Sequence, residues 1–332
     1  MTRRFPRLLA AALSLAAIGP STAQSPYTPP AHNDSPQLYA RMSELEAALA
    51  ADRATTAERD RSPAWELAEH RRLARALAAL QPQRKGVVDA FVVAIGTDSD
   101  PVFGRETREA AKVLARRYNA AGHTIVLAMS DGRAESDLPR GSPDNLGAAL
   151  ARVAELMDPA EDVLVLYTTG HGAPIGLAYN DGDAGLALIS PAWLKQSLDG
   201  LGIRNRMLLI SACYSGVFIG PLSSPTTAIV TAASTDRSSF GCAADNDWTF
   251  FGDALINHAL RKPGKFAAAV EEARATIGGW ERGAKLEASQ PSVLIGGEAD
   301  RWLTPLEARI PAVATAPVGR PATDILKALP KR

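Results

Sequence analysis

Cysteine is scarce in this chain of 332 residues, occurring only as Cys213 and Cys242. A small secreted scaffold stapled by disulfides carries more cysteines at regular spacing, so that class is excluded. A single bridge between the two remains open for a protein of an oxidising compartment. Neither CxxC nor HxxxH occurs, so the usual zinc-ligand spacings are missing and no metal or other cofactor is expected. The GxSxG signature is absent too, which counts against a serine esterase of the α/β-hydrolase type. Charge of one sign is also lacking, because 36 basic residues balance 36 acidic ones. That balance gives no sign of a nucleic-acid partner. Beyond residue 18 no apolar run approaches the roughly 20 residues a membrane span needs.

What is present begins with an export pattern. Arg3, Arg4 and Arg7 precede the apolar residues 8–18, and Ser21, Thr22 and Ala23 supply a small-x-small cleavage site. This three-part arrangement reads as a signal peptide over residues 1–23. Cleavage after Ala23 would leave 33 basic against 36 acidic side chains and a soluble protein, periplasmic or secreted. Residues 24–34 are polar and proline-rich and read as a disordered lead-in. Ser35 and Pro36 then offer an N-cap and a first helical residue, and Ser62 and Pro63 repeat the signal. With Leu38, Met42, Leu45 and Leu49 on one face, residues 35–82 read as a helical hairpin. Its charged outer face is either solvated surface or the seat of a protein partner.

From residue 87 the pattern changes to apolar, β-branched segments alternating with amphipathic ones. Strands are expected at residues 87–95, 124–129, 163–168, 207–211, 227–232 and 292–295. Helices are expected at 103–118, 142–157, 190–198, 249–260 and 266–278. The fold class is therefore α/β, with a mostly parallel six-stranded sheet covered by helices on both faces, spanning residues 86–303. Residues 304–332, rich in proline and alanine, read as a flexible tail.

Two segments carry the chemistry. Residues 163–172, VLVLYTTGHG, and 207–216, MLLISACYSG, each run as a buried strand into a reactive side chain and then glycine. Parallel strands deliver their carboxyl ends to one crevice, where ligands gather. Of the five histidines, His32 lies in the lead-in, His70 in the hairpin, His123 before its strand and His258 within a helix. Only His171 follows the carboxyl end of a strand. Paired with Cys213 it fits nucleophilic catalysis, a thiol beside a group that titrates near neutrality. The N–H groups of Gly172 and Cys213 could form an oxyanion hole. The plainer alternative for Cys213 is a small buried hydrophobe, against which the polar turn Tyr214, Ser215, Gly216 argues.

On these residues the chain resembles the legumain family, the asparaginyl endopeptidases among the caspase-like cysteine peptidases. The match rests on His171 with Gly172, on ISACYSG at residues 210–216, and on TAASTDRSSFGC at 231–242 followed by FFGDAL at 250–255. The resemblance implies a three-layer caspase-like fold, with His171 as catalytic histidine and Cys213 as nucleophile. It further implies a specificity pocket made by Arg105, Ser239 and Asp253, which suits cleavage after Asn or Asp. Cys242 falls at a position that is not the nucleophile. Two departures bear on specificity: Gly170 stands where eukaryotic legumains have aspartate, and Tyr214 where they have glutamate. The expected function is a cysteine endopeptidase acting on protein or peptide substrates. The same residues would serve a transpeptidase or ligase, and a catalytically silent binding scaffold is the third reading.

Overall fold

The computed structural model describes residues 27–327, so the expected signal peptide lies outside the described residues. The chain opens with helix α1 (Glu44–Asp52), a short strand β1 (Ala57–Glu58) and helix α2 (Pro63–Ala78). There follow β2 (Ala90–Gly96), α3 (Pro101–Arg117), β3 (Thr124–Leu127), α4 (Pro143–Leu156) and β4 (Val163–Thr169). Three short strands come next, β5 (Gly172–Ala173), β6 (Gly176–Asn180) and β7 (Gly185–Ile189), then α5 (Pro191–Gly200) and β8 (Arg206–Ser211). The remainder is α6 (Ile219–Leu222), β9 (Thr227–Thr231), a π-helical stretch (Gly252–Ala259), α7 (Phe266–Ala284), β10 (Ser292–Ile295) and α8 (Asp300–Glu307). No helix among the described residues is long and apolar enough to cross a membrane.

Six strands form the main sheet in the order β10-β9-β8-β4-β2-β3. All neighbours run parallel except β10, which is antiparallel to β9. This is the expected mostly parallel six-stranded α/β sheet, with helices on both faces. Side chains alternate between the faces, as the pleat requires. Val92, Val165, Tyr167, Leu209 and Val230 point into one core, with α7, the π-helical stretch and Trp302. Phe91, Val93, Leu164, Leu166, Leu208 and Ile229 point into the other, with α4 and α5. Every residue of β2, β4 and β8 is buried, which explains their unbroken apolar runs.

Helix starts follow the serine–proline signal closely. Ser62, Ser142 and Ser190 each accept the N–H three residues on, from Trp65 (3.2 Å), Asn145 (3.3 Å) and Trp193 (3.0 Å). Asp100 holds the same place before Pro101, yet its side chain makes no cap hydrogen bond.

Four expectations are corrected. No helix begins at Ser35; α1 starts nine residues later, because Ser43 and Glu46 form a reciprocal capping box. Tyr39 upstream is held out of helix, its hydroxyl accepting the Leu188 N–H at 3.1 Å. The two N-terminal helices are joined through β1, which pairs with β7 in a second sheet, β1-β7-β6-β5, that sequence reading missed. Finally, the terminal segment is docked rather than loose. Val318 N–H donates to Asn257 Oδ1 at 2.9 Å, and its carbonyl accepts from Asn257 Nδ2 and Trp248 Nε1. The lead-in is docked too, with Asp183 N–H donating to Ala31 O at 2.7 Å.

Beneath the sheet's carboxyl edge lies a fully buried carboxyl, Glu106 on α3. It accepts from Tyr167 Oη (2.5 Å), Thr249 N–H (2.6 Å) and Thr249 Oγ1 (3.2 Å), and Thr249 Oγ1 lies 3.0 Å from Ser211 Oγ. Burial pushes the carboxyl up despite these donors. Folded Glu106 therefore keeps its proton to higher pH than the unfolded chain does. Its contribution to stability is greatest in acid and falls as pH climbs from the ordinary glutamate range through the raised value. Glu106→Gln, which carries no charge, should raise Tm by about 2–4 °C at pH 8, with the gain vanishing near pH 4. Glu106→Ala should lower Tm at both, since buried donors are left unpaired at roughly 1–3 kcal/mol each. Thermal melts across pH check both.

Candidate active site

Strand order sets the location. The chain places β3 on one side of β2 and β4 on the other, so a crevice opens at the carboxyl ends of β2 and β4. Hydrogen bonding continues past the strands, with Thr97 N–H donating to Thr169 O (2.9 Å) and Gly170 N–H to Ser211 O (3.2 Å). Residues just beyond β2, β4 and β8 are thereby brought side by side. They are Asp98, His171 and Cys213.

The glycines around His171 serve this convergence. A Cβ on Gly170 would lie 2.0 Å from Thr97 Oγ1, and one on Gly172 2.1 Å from the carbonyl oxygen of Cys213. The loop carrying the histidine thus rests directly on the backbone carrying the cysteine. Ala178 N–H donates to His171 O at 3.0 Å. Alternation along the β5–β6 ladder then points the Gly172 N–H away from β6.

Cys213 and Cys242 are both free thiols, which removes the single-bridge alternative. The half-buried Cys213 Sγ accepts the Ser239 N–H at 3.2 Å and lies 3.6 Å from Ser239 Oγ. The same sulfur lies 3.7 Å from the Ser239 carbonyl oxygen, so Ser239 fixes its position through both backbone groups. Tyr214, next in the chain, is left-handed (φ 57°, ψ 10°). That conformation is costly for a side chain with a Cβ and gathers at functional turns. It is held by Tyr214 N–H donating to Arg237 O at 2.8 Å, and by Gly216 packing on the backbone of Ser234 and Thr235. The Cys242 thiol is pushed far up by burial, which suits an inert core residue.

His171 exposes 43% of its side chain, so a substrate can reach it. Its ring meets the edge of Phe103, with centroids 5.2 Å apart. Its Nε2 stands 4.0 Å from Oδ2 of Asp98, a wholly buried carboxyl. Asp98 Oδ1 accepts the Asp100 N–H at 2.8 Å, whereas Oδ2 has no hydrogen-bond partner. Burial raises this carboxyl's pKa and the facing imidazole draws it back down. Sequence reasoning missed Asp98. The available signal was its place just past the first strand, at the same sheet edge as His171.

The expected pocket residues are only partly brought together. Ser239 lies on the sulfur. Arg105 is spent on the loop beyond Ser239, donating to the carbonyls of Asn246, Ala244 and Asp131. Its acidic partner is Asp247, at 3.3 Å, rather than Asp253. Arg105 and Asp247 line a cavity of about 260 Å³ with Arg108, Asp131, Arg133 and Trp248. Asp253 is fully buried beneath the C-terminal segment, accepting from Asn257 Nδ2 (2.8 Å) and Ala322 N–H (2.8 Å), with His258 Nε2 at 3.4 Å. The π-helical stretch turns it toward that segment, so it cannot serve as the pocket acid.

A free cysteine and an accessible histidine thus stand at the ends of adjacent parallel strands, the residue types that nucleophilic thiol chemistry needs. The Peptidase C13 family model matches residues 140–277, the stretch that carries His171, Cys213, Ser239 and Asp253. C13 is the legumain family of cysteine peptidases, so over this stretch, which is less than half of the chain, the sequence is similar to the family it was expected to resemble. A comparison with the curated proteins returns no match. Among solved structures the chain is similar to caspase-1 from Spodoptera frugiperda, at 13% identity and a TM-score of 0.43, over 65% of this chain and 93% of that one.

If His171 is catalytic, the Asp98 carboxyl, 4.0 Å from its Nε2 and without a hydrogen bond to it, acts on the ring electrostatically. Asp98→Asn should lower kcat about ten- to a hundredfold while leaving KM within about twofold and the fold intact by circular dichroism. An unchanged kcat would show the carboxyl to be merely structural.

Proposed function

We propose that this chain is a cysteine endopeptidase in which Cys213 is the nucleophile and His171 the acid and base. The observation that carries the reading is the seating of Gly172 on the Cys213 carbonyl, which presents imidazole and thiol from one edge to a single peptide. The Cys213 thiol gives its proton to His171 as its sulfur attacks the scissile carbonyl carbon. Charge on the carbonyl oxygen is received by the N–H groups of Gly172 and Cys213. As the C–N bond breaks, His171 gives its proton to the departing amine. Water then attacks the thioester and gives a proton to His171, which passes it to the departing sulfur, so that the carboxylic acid and the thiol are released.

Cys213→Ala should abolish cleavage of a denatured-protein or peptide-library substrate, a fall of at least about 10⁴-fold. Iodoacetamide should label Cys213 and spare Cys242 in the folded chain, read by peptide mass spectrometry. Cleavage that survives in Cys213→Ala defeats the proposal. Gly172→Ala should also be nearly inactive, because its Cβ would collide with the Cys213 carbonyl. Adding a peptide amine to the assay and weighing the products separates hydrolysis from ligation. Export belongs to the same reading, with a mature chain beginning at Gln24 by N-terminal sequencing.

A further inference from the structure

Residues 27–34 lie against the loops that close the crevice. Asp183 N–H donates to Ala31 O, and Asp34 N–H donates to Asp183 Oδ1 at 2.6 Å. At the turn between them Gly182 has φ +58°, and a Cβ there would lie 2.5 Å from Ala31 O. These contacts deliver His32 to the end of β2. Its Nε2 lies 2.9 Å from Ser99 Oγ, and its Nδ1 3.3 Å from Asn180 Nδ2. One donor atom from each of His32, Asp98 and Asp100 then falls within 4.8 Å of the other two.

Three features of this cluster leave hydrogen-bonding capacity unspent, although Asp98 Oδ2 also faces His171 Nε2 at 4.0 Å. The wholly buried Asp98 keeps Oδ2 without a hydrogen-bond partner. Asn180 Oδ1, beside the His32 ring, is likewise buried and unpartnered. Asp100 stands at an N-cap without using its side chain to cap. A half-turn of the Asn180 carboxamide would let Oδ1 accept the His32 Nδ1–H. That leaves the Nε2 lone pair free, the arrangement by which metal-bound histidines are held from their second nitrogen.

We propose that His32, Asp98 and Asp100 bind a divalent transition-metal cation of the zinc type. One imidazole and two carboxylates suit zinc, whereas calcium and magnesium call for a fuller set of oxygens. At bond lengths near 2.0–2.2 Å, ligand atoms sit about 3.3–3.5 Å apart, so the cluster need close by little more than 1 Å. The cation would neutralise the buried Asp98 and fasten the N-terminal segment beside the crevice. It would also compete with His171 for the Asp98 carboxylate. On the peptidase reading, zinc therefore slows turnover reversibly.

The test uses the chain from Gln24 onward carrying Cys213→Ala, so that no catalytic thiolate can hold the metal. Calorimetry with Zn²⁺ and the visible absorption of Co²⁺ should show one ion bound per chain. His32→Gln, at an exposed residue, and Asp100→Asn, at a partly exposed one that keeps its size, should each weaken it at least tenfold with unchanged melting. No binding, or unchanged affinity in both variants, overturns the site. Because these readings need no turnover, a chain that cleaves without binding zinc sinks the site alone, and one that binds zinc without cleaving sinks the peptidase alone.

Discussion

The close approach of Gly172 to the carbonyl of Cys213 is the constraint on which the site depends. It works only because β4 and β8 are parallel, adjacent and in a register that continues through Gly170 and Ser211. Parallel register is enforced by cores on both faces, since a one-residue slip would exchange Leu164 and Val165 between two differently shaped interiors. Chemistry at the rim is thus anchored by packing beneath it. Glu106 ties these levels together, joining α3 to Tyr167 on β4 and, through Thr249, to Ser211 at the end of β8.

Electrostatics at the rim follow from the same geometry. The sulfur has a backbone donor from Ser239, and the imidazole has a buried carboxylate, Asp98. Cys213 and His171 thus each face a polar group from another loop, Ser239 and Asp98. Cys242, close in sequence to Ser239, is kept out of the chemistry by burial of its thiol. Each terminal segment is bound to the α/β body. The N-terminal one reaches the crevice at His32, and the C-terminal one covers Asp253 and the π-helical stretch.

Most of the fold was legible because its determinants are local. The strand β10 at Ser292–Ile295 and the helix starts after Ser62, Ser142 and Ser190 coincide with the signals that predict them. Apolar runs and serine–proline caps act within a few residues. Ser35 with Pro36 carried the same signal without forming a helix, because Tyr39 is claimed by β7 and a stronger capping box lies downstream at Ser43. The small sheet was illegible for a related reason: strands of two to five residues have too few side chains to show a period.

Sequence alone determined that a histidine and a cysteine end neighbouring strands, since each is attached to its own apolar run. Tertiary structure alone decided their companions. Asp98 meets His171 across a strand boundary, Arg105 chooses Asp247 over Asp253, and His32 is carried to the crevice by contacts with a distant turn. Carboxylates and guanidiniums exert no pattern along the chain. Their partners are set by which loops the packed sheet brings within a few ångströms, and that distance exists only once the cores have closed.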